Sequence, residues 1–175
     1  SIALKLSIDE AVEKILEFSP KYLAITSTTI SIFNAVEVAK KVKEKNKDIL
    51  IILGGPHITA APEETMHRFP EFDIAVLGEG EVTIQKLLRY LEKGLPIDIV
   101  KGLLIRKNSS LKFTPLRPFI QDLDSLPLPA WDLLPDLLTY YQPAADSLNR
   151  SPATLLITSR GCPGQCVFCD KRVFG

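Results

Sequence analysis

A short apolar run that ends in paired glycines constrains the fold of this chain more than any other feature. Residues 49–53 carry only Ile and Leu side chains, and Gly54 and Gly55 follow directly. Strands that are apolar at every position are typical of the middle of a parallel sheet, because helices cover both faces there. Amphipathic helical periodicity appears on both sides of this run. The sequence therefore predicts an α/β fold.

Further short apolar runs and helical patterns complete the alternation in the first 95 residues. Strands are predicted at residues 22–26 and 73–77. The predicted helices start behind Ser7 as N-cap, follow the apolar stripe from Ala35 to Val42, run from Pro62 to about Arg68, and extend from Ile84 to Gly94. Residues 56–61 are predicted as a loop. This alternation predicts a Rossmann-like (flavodoxin-like) parallel sheet with flanking helices.

The pattern changes near residue 99. Two short strands, at residues 101–106 and 111–115, flank a polar turn and predict a β-hairpin. A proline-rich stretch follows, which we predict to be a connector packed along a surface, because it is too apolar for a free linker. Residues 153–158 are predicted as a strand. The predicted organisation is an α/β domain at 1–98, a hairpin extension at 99–118, a connector at 119–152, and the start of a second domain at 153–175.

The charge balance gives no reason to expect a nucleic acid partner. The chain has 21 Lys and Arg against 21 Asp and Glu, for a formal net charge of zero. No apolar run of about 18 residues and no secretory leader pattern occur in the sequence, so we expect no membrane span and a cytoplasmic location. The lysines at positions 40, 41, 43 and 45 are interpreted as a solvated helix face.

Three cysteines, the only ones in the chain, are spaced as CxxxCxxC at Cys162, Cys166 and Cys169. Three thiolates can hold three irons of a 4Fe-4S cluster and leave the fourth iron open for a ligand that is not protein. A zinc site usually needs four protein ligands, and both histidines, His57 and His67, lie about a hundred residues away. Three reduced structural thiols are the other alternative.

Unusual residues follow each of the three predicted parallel strands. The strand ends carry Thr26-Ser27-Thr28-Thr29, then Gly54-Gly55-Pro56-His57, then Gly78-Glu79-Gly80-Glu81. Ligands of open parallel sheets bind beyond the carboxyl ends of the strands, where hydroxyls donate hydrogen bonds and glycines allow close approach. Together the segments predict a pocket for a large polar cofactor. Singly, the glycines could be turn punctuation, the glutamates helix caps, and His57 a loop residue; His67 is interpreted as structural.

These segments together resemble the radical S-adenosylmethionine enzymes that carry an N-terminal cobalamin-binding domain. The matching stretches run in order along nearly the whole chain, and they are residues 26–29, 54–59 with 62–64, 73–81, 122–127 with 129–131, and 159–169. The resemblance implies that Cys162, Cys166 and Cys169 ligate a 4Fe-4S cluster and that Phe168 contacts the adenine of S-adenosylmethionine. It implies a 5′-deoxyadenosyl radical used for methyl transfer or a related C–H functionalisation.

The same resemblance assigns cobalamin contacts to the three strand ends. Ser27 and Gly54 would lie near the nucleotide tail, with Thr28 and Thr29 beside them. Gly55, His57 and the loop of Gly78, Glu79, Gly80 and Glu81 would line the corrin side. One departure is that the chain lacks Asp-x-His-x-x-Gly, the motif that supplies a cobalt-ligating histidine in methionine-synthase-like domains.

By this resemblance the chain is predicted to be a fragment, lacking one or two strands ahead of residue 2 and nearly all of the radical barrel, and inactive alone. The parent is expected to act on a small-molecule, lipid or tetrapyrrole-type substrate, with flavodoxin or ferredoxin as reductant. Unpaired sheet edges favour a homodimer of the fragment. The alternative function is a non-catalytic module that binds cobalamin, or that serves as a scaffold or recognises substrate, attached to a radical S-adenosylmethionine domain.

Overall fold

A computed structural model describes residues 6–108, 110–140, 157 and 159–169. The helices are α1 Ile8–Glu17, α2 Ile32–Lys45, α3 Pro56–Ala60, α4 Pro62–Arg68, α5 Glu81–Glu92 and α6 Leu137–Tyr140. The strands are β1 Tyr22–Thr26, β2 Leu50–Gly54, β3 Ile74–Val76, β4 Leu103–Lys107 and β5 Ser110–Phe113. Short 3-10 turns cover Ile97–Ile99, Leu123–Ser125 and Trp131–Leu133.

Local sequence explains how the first helix begins. The Ser7 hydroxyl accepts from the Glu10 backbone N–H at 3.3 Å, and the Glu10 carboxylate accepts from the Ser7 backbone N–H at 2.7 Å. This capping box satisfies two donors that a helix N-terminus otherwise leaves unpaired, and it confirms Ser7 as the N-cap.

The five strands form one sheet in the order β1-β2-β3-β4-β5. The first three strands are parallel, and β4 and β5 are antiparallel to their neighbours. The predicted hairpin therefore exists, and it extends the sheet because β4 pairs with β3. Among the described residues β1 has a strand neighbour only on its β2 side. The predicted fold class is confirmed: a mixed sheet, with three parallel strands and an added hairpin, and flanking helices.

Helices cover both faces of the sheet, as the all-apolar β2 predicts. Alternate side chains of β2 point to opposite faces, with Ile51 and Leu53 in one core and Ile52 in the other. The first core also contains buried residues of α1 to α4, and the second contains Leu87 of α5. Since both cores are closed by helices, the open parts of the sheet are its two edges and the ends of its strands.

The segment after the hairpin is fastened to the sheet, as far as the described contacts reach. The Gly102 N–H donates to the Pro115 carbonyl at 2.8 Å, and the Arg117 Nε donates to the Thr83 hydroxyl at 2.7 Å. These contacts hold the end of the hairpin extension against the domain, just ahead of the predicted connector. The predicted strand at 153–158 lies outside the described residues, apart from Ile157.

Two findings extend or complement the sequence prediction. The predicted loop at residues 56–61 contains a short helix, α3, which starts with Pro56 at its first position. A five-residue helix is too short to show an apolar stripe, so periodicity did not reveal it.

No helix within the described ranges is long and apolar enough to cross a membrane.

Candidate functional site

The carboxyl ends of β1, β2 and β3 meet at one edge of the sheet because the three strands are parallel. Thr26 of β1 lies opposite Gly54 of β2, and the Ser27 N–H donates to the Gly54 carbonyl at 3.1 Å. Gly78 follows β3 and donates its N–H to the Thr59 hydroxyl of α3 at 3.1 Å. The structure thus brings the three predicted segments together at one edge, hereafter the carboxyl edge.

Gly55 is required by the close approach of two backbones. Its φ is +100°, and a Cβ placed there would lie 2.6 Å from the Thr26 hydroxyl oxygen and 2.7 Å from the Ser27 carbonyl oxygen. The Ser27 carbonyl in turn accepts from the His57 backbone N–H at 3.2 Å. Gly55 therefore has a structural role, since it lets the turn into α3 fold against the end of β1.

Gly54 and Ser27 differ from Gly55 in having no close protein contact that explains them. A Cβ built on Gly54 would meet no atom within 4 Å. The Ser27 side chain is buried, with 3% of the residue exposed, and its Oγ has no hydrogen-bond partner among the described residues. A buried hydroxyl without a partner costs free energy, so it needs an explanation such as a bound ligand. Both observations fit a cofactor lying over the carboxyl edge.

His57 is held by two threonine hydroxyls. Its Nδ1 lies 3.1 Å from the Thr29 Oγ1 and its Nε2 lies 3.2 Å from the Thr65 Oγ1. The Thr65 hydroxyl already donates to the Ala61 carbonyl at 2.5 Å, so it accepts from the Nε2–H of His57. Both ring nitrogens are engaged by the protein, and neither is free to bind cobalt in this arrangement.

Thr28 belongs to the turn that leads into α2. Its backbone N–H donates to the Ser31 Oγ at 3.0 Å, and its hydroxyl lies 3.2 Å from the same atom. Thr28 is exposed at the carboxyl edge, so it can contact a ligand only by changing these bonds or by accepting an additional one.

A cavity of about 190 Å³ opens beside His57. Its lining includes Thr29, Phe33, Thr65, Arg68 and Phe69, and the Arg68 guanidinium lies 5.6 and 5.5 Å from the centroids of the two phenylalanine rings. This volume is below the roughly 300 to 1,000 Å³ of pockets that enclose a drug-sized ligand. A cofactor as large as cobalamin therefore has to lie over the open edge, with at most a part of it entering the cavity.

A larger depression of about 670 Å³ lies between α1 and α2 and is distant from these segments. It is lined by charged residues such as Asp9 and Glu13 and by Lys41 and Lys45 near the end of α2. Because α2 connects two parallel strands, its end lies at the opposite edge of the sheet. None of the predicted site residues contributes to this depression.

The loop between β3 and α5 differs from the first two strand ends because its carboxylates are already occupied. Glu79 Oε2 accepts from the Ile120 N–H at 2.5 Å, and Glu79 Oε1 accepts from Arg160 Nη1 at 3.1 Å. Glu81 Oε1 accepts from Arg160 Nη2 at 2.5 Å. Partial burial raises the pKa of Glu81, but the hydrogen bonds and the charge of Arg160 outweigh burial, so the pKa lies below its usual value.

The cysteine loop follows directly after Arg160. Cys162, Cys166 and Cys169 are all exposed and reduced, and the Gly164 N–H donates to the Cys162 Sγ at 3.4 Å. In the part of the chain that the structure describes, no three His, Cys, Asp or Glu side chains are grouped closely enough to hold a metal ion. The donor set suits an iron–sulfur cluster, but the three thiols would have to move together to bind one. Phe168 is 89% exposed beside them.

Fold and site together define an α/β cofactor-binding domain that presents its carboxyl edge to a large ligand. Residues 2–88 match the B12 binding domain family. The cobalamin-dependent S-adenosylmethionine radical enzyme OxsB, solved with aqua-cobalamin and S-adenosylmethionine bound, shares this fold with a TM-score of 0.57 and 22% identity over 66% of this chain and 16% of that chain. The chain carries a B12 binding domain, and the resemblance of its sequence to cobalamin-dependent radical S-adenosylmethionine proteins is confirmed.

Two curated relatives match nearly the whole chain. An uncharacterized methyltransferase of Pyrococcus horikoshii is 39% identical over 97% of this chain and 36% of its own length. The anaerobic magnesium-protoporphyrin IX monomethyl ester cyclase of Rubrivivax gelatinosus is 31% identical over 97% of this chain and 30% of its own length. The chain thus spans about a third of the length of these relatives.

Some residues of the site were not found by reading the sequence. Thr65 fixes the His57 ring, Ile120 binds Glu79, and Arg160 joins Glu79 to Glu81. Thr65 lies eight residues from His57 on the next helix and carried no distinguishing pattern. Arg160 did carry a signal, since it stands two residues before the first cysteine, but its partners lie about 80 residues earlier in the chain.

Proposed function

We propose that the chain binds cobalamin across the carboxyl edge of its parallel strands. One observation carries this proposal: the buried Ser27 hydroxyl has no partner within the described part of the chain, and it lies beside the open surface of Gly54. The nucleotide tail of cobalamin supplies hydrogen-bonding groups that would satisfy Ser27. The match of residues 2–88 to the B12 binding domain supports the choice of cofactor.

Other residues of the edge have supporting roles in this proposal. Thr28 and Thr29 would line the tail next to Ser27, while Gly55 and His57 would shape the surface below the corrin. Gly78 and Gly80 would offer backbone to the corrin side, because a Cβ at Gly78 would meet no atom within 4 Å. The side chains of Glu79 and Glu81 would form part of the surface that faces the corrin while they remain bound to Arg160.

We further propose that Cys162, Cys166 and Cys169 hold a 4Fe-4S cluster and that Phe168 packs against the adenine of S-adenosylmethionine. When bound, these groups supply a 5′-deoxyadenosyl radical, and cobalamin supplies a methyl group, so that the whole protein carries out methyl transfer or a related C–H functionalisation. Three thiolates within eight residues match the donor set, and the exposure of Phe168 leaves its ring available.

The cobalamin proposal is tested by titrating the protein with hydroxocobalamin and following the corrin absorbance. We expect saturable binding and a cofactor that stays with the protein through gel filtration. Unchanged corrin absorbance together with free passage of the cofactor would contradict the proposal.

The cluster proposal is tested by anaerobic reconstitution with iron and sulfide. We expect about four irons per chain and broad visible absorbance, both abolished by the triple change of Cys162, Cys166 and Cys169 to Ser. The same iron content in the triple variant would contradict the assignment. Reductive cleavage of S-adenosylmethionine is the corresponding test for the whole protein.

A second candidate function is a non-catalytic module that binds cobalamin, or that serves as a scaffold or recognises substrate. The family match favours it, because the match covers the cofactor-binding domain at residues 2–88 and not the cysteine segment. Cofactor binding without any cleavage of S-adenosylmethionine by the whole protein would support this candidate and reject the enzymatic one.

The partners and location remain part of the proposal. The names of two relatives, a methyltransferase and a magnesium-protoporphyrin IX monomethyl ester cyclase, support methyl transfer or cyclisation. We propose a small-molecule, lipid or tetrapyrrole-type substrate. We propose flavodoxin or ferredoxin as the reductant, a cytoplasmic location, and a homodimer formed through a free sheet edge such as β1. Light scattering that shows only monomer would reject the dimer.

A further inference from the structure

We propose that Arg160 is a positioning residue that fastens the cysteine loop to the loop between β3 and α5. Only the part of this claim that concerns the cluster rests on the proposed function. The contact of Arg160 with Glu79 and Glu81 is itself observed. Glu79 and Glu81 are its partners, and they were expected to face a cofactor.

The geometry uses the planar fork of arginine. Nη1 binds Glu79 and Nη2 binds Glu81, at 3.1 and 2.5 Å between nitrogen and oxygen. Lysine presents one compact ammonium group and cannot reproduce two separated, directed contacts equally well. The two carboxylates stand two residues apart, at the start of α5, and both side chains turn toward the same guanidinium.

The side chains of Arg160 and Glu79 are partly shielded from water, so their ion pair should be stronger than one between fully exposed side chains. The Glu79 side chain is 13% exposed and the Arg160 side chain 31% exposed, while Glu81 is 42% exposed. Ion pairs between fully exposed side chains contribute little, whereas charge-assisted hydrogen bonds in shielded positions are stronger. We call the two contacts of Arg160, with Glu79 and with Glu81, the Arg160 clamp. The contact with Glu79 should be the stronger of the two.

Glu79 joins three segments of the chain. Its second oxygen accepts the backbone N–H of Ile120, while the first accepts from Arg160. Hydrogen bonds fix the path of the chain from β5 toward Ile120. Thr114 is bonded to Leu103 of β4, Pro115 to Gly102 just before β4, and Arg117 to Thr83 of α5. One carboxylate thus ties the β3–α5 loop both to the beginning of the connector, at Ile120, and to the cysteine segment that follows the connector, at Arg160.

The consequence concerns the first cysteine. Cys162 is two residues after Arg160, and two residues span at most about 7 Å. Fixing Arg160 at the carboxyl edge therefore fixes Cys162 close to the same edge. We infer that the clamp sets where the cysteine loop stands relative to the surface that we propose for cobalamin.

Trypsin provides a test that needs no cofactor, because it must bind the Arg160 side chain to cut the bond to Gly161. An engaged guanidinium slows this cleavage. We expect the double change Glu79→Gln and Glu81→Gln to accelerate cleavage at Arg160 about tenfold relative to cleavage at Lys107, the last residue of β4. The matched control is Glu92→Gln, at the other end of α5, which should leave the ratio unchanged. Equal ratios in all three proteins would overturn the proposal.

A second test asks whether the clamp positions the cluster and does not merely stabilise the fold. The protein is loaded with hydroxocobalamin, iron and sulfide, then reduced, and the magnetic interaction between Co(II) and the reduced cluster is recorded by electron paramagnetic resonance. We expect Arg160→Ala to keep the iron content, to lower the melting temperature by a few degrees as Glu79→Gln does, and to weaken this magnetic interaction. Glu79→Gln is therefore the stability-matched comparison, and Arg160→Lys should restore the interaction in part. Arg89→Ala serves as control.

The two tests separate the claims. A wild-type protein that binds neither cofactor would refute the proposed function, while the trypsin ratios would still decide the clamp. If both cofactors bind and Arg160→Ala leaves the magnetic interaction unchanged, the positioning role is rejected.

Discussion

The carboxyl ends of β2 and β3 both carry glycines, yet the structure treats them differently. The surface above Gly54 at the β2 end is open, and the buried hydroxyl of Ser27, at the adjoining end of β1, has no partner among the residues that the structure describes. At the β3 end, Glu79 and Glu81 are already bonded to Ile120 and Arg160. The comparison separates residues that we propose to contact the cofactor from residues whose side chains already bind other parts of the chain. The resemblance assigns both groups to one cofactor.

Substitution of the two adjacent glycines at the β2 end should give the largest difference in the free energy of unfolding. Gly55→Ala places a Cβ at 2.6 Å from the Thr26 hydroxyl oxygen in a backbone with φ of +100°. We expect it to lower the free energy of unfolding by about 2 to 4 kcal/mol, as measured by urea denaturation.

Gly54→Ala is the matched control for Gly55→Ala. Its Cβ meets open space, so we expect a stability change below about 1 kcal/mol and a selective loss of hydroxocobalamin affinity. Similar loss of stability in both variants would show that the surface above Gly54 is not open.

Glu79→Gln probes the β3 end. The change removes the charge that faces Arg160 but keeps a side-chain oxygen for the Ile120 N–H. We expect a loss of about 1 to 2 kcal/mol in the free energy of unfolding, because the hydrogen bond to a charged group is lost. Affinity for hydroxocobalamin should change less than about twofold. A large loss of affinity would place the Glu79 carboxylate in the cofactor site and break the comparison.

Gly78→Ala separates backbone strain from ligand contact. The φ of Gly78 is +70°, but a Cβ there would meet no atom within 4 Å. We expect about 1 kcal/mol of lost stability from the left-handed backbone alone, seen as a lower urea midpoint. A wild-type midpoint would mean that this loop relaxes freely.

Patterns that depend on neighbouring residues could be predicted from the sequence. The strand at β2 followed from its all-apolar run, and the N-cap Ser7 followed from its spacing to Glu10, because both depend on local spacing. The edge containing Ser27, Gly54 and Gly78 followed from the rule that parallel strands end together.

Features that depend on distant contacts could not be predicted. Arg160 and Glu79 lie far apart in the chain, and nothing in the sequence distinguishes their pairing from that of any other charged residues. The unpaired state of Ser27 likewise follows only from the packing around it. Helix α3 was missed for another reason, since one turn after Pro56 carries no periodic signal.

The most direct measurement of the central claim is Ser27→Ala, with stability and hydroxocobalamin affinity determined on the same sample. Removing a buried hydroxyl without a partner should leave the free energy of unfolding unchanged or raise it by up to about 1 kcal/mol. Loss of its hydrogen bond to the cofactor should weaken binding about five- to tenfold. Wild-type affinity, with or without a loss of stability, would contradict the account, because Ser27 would then serve the fold or nothing at all.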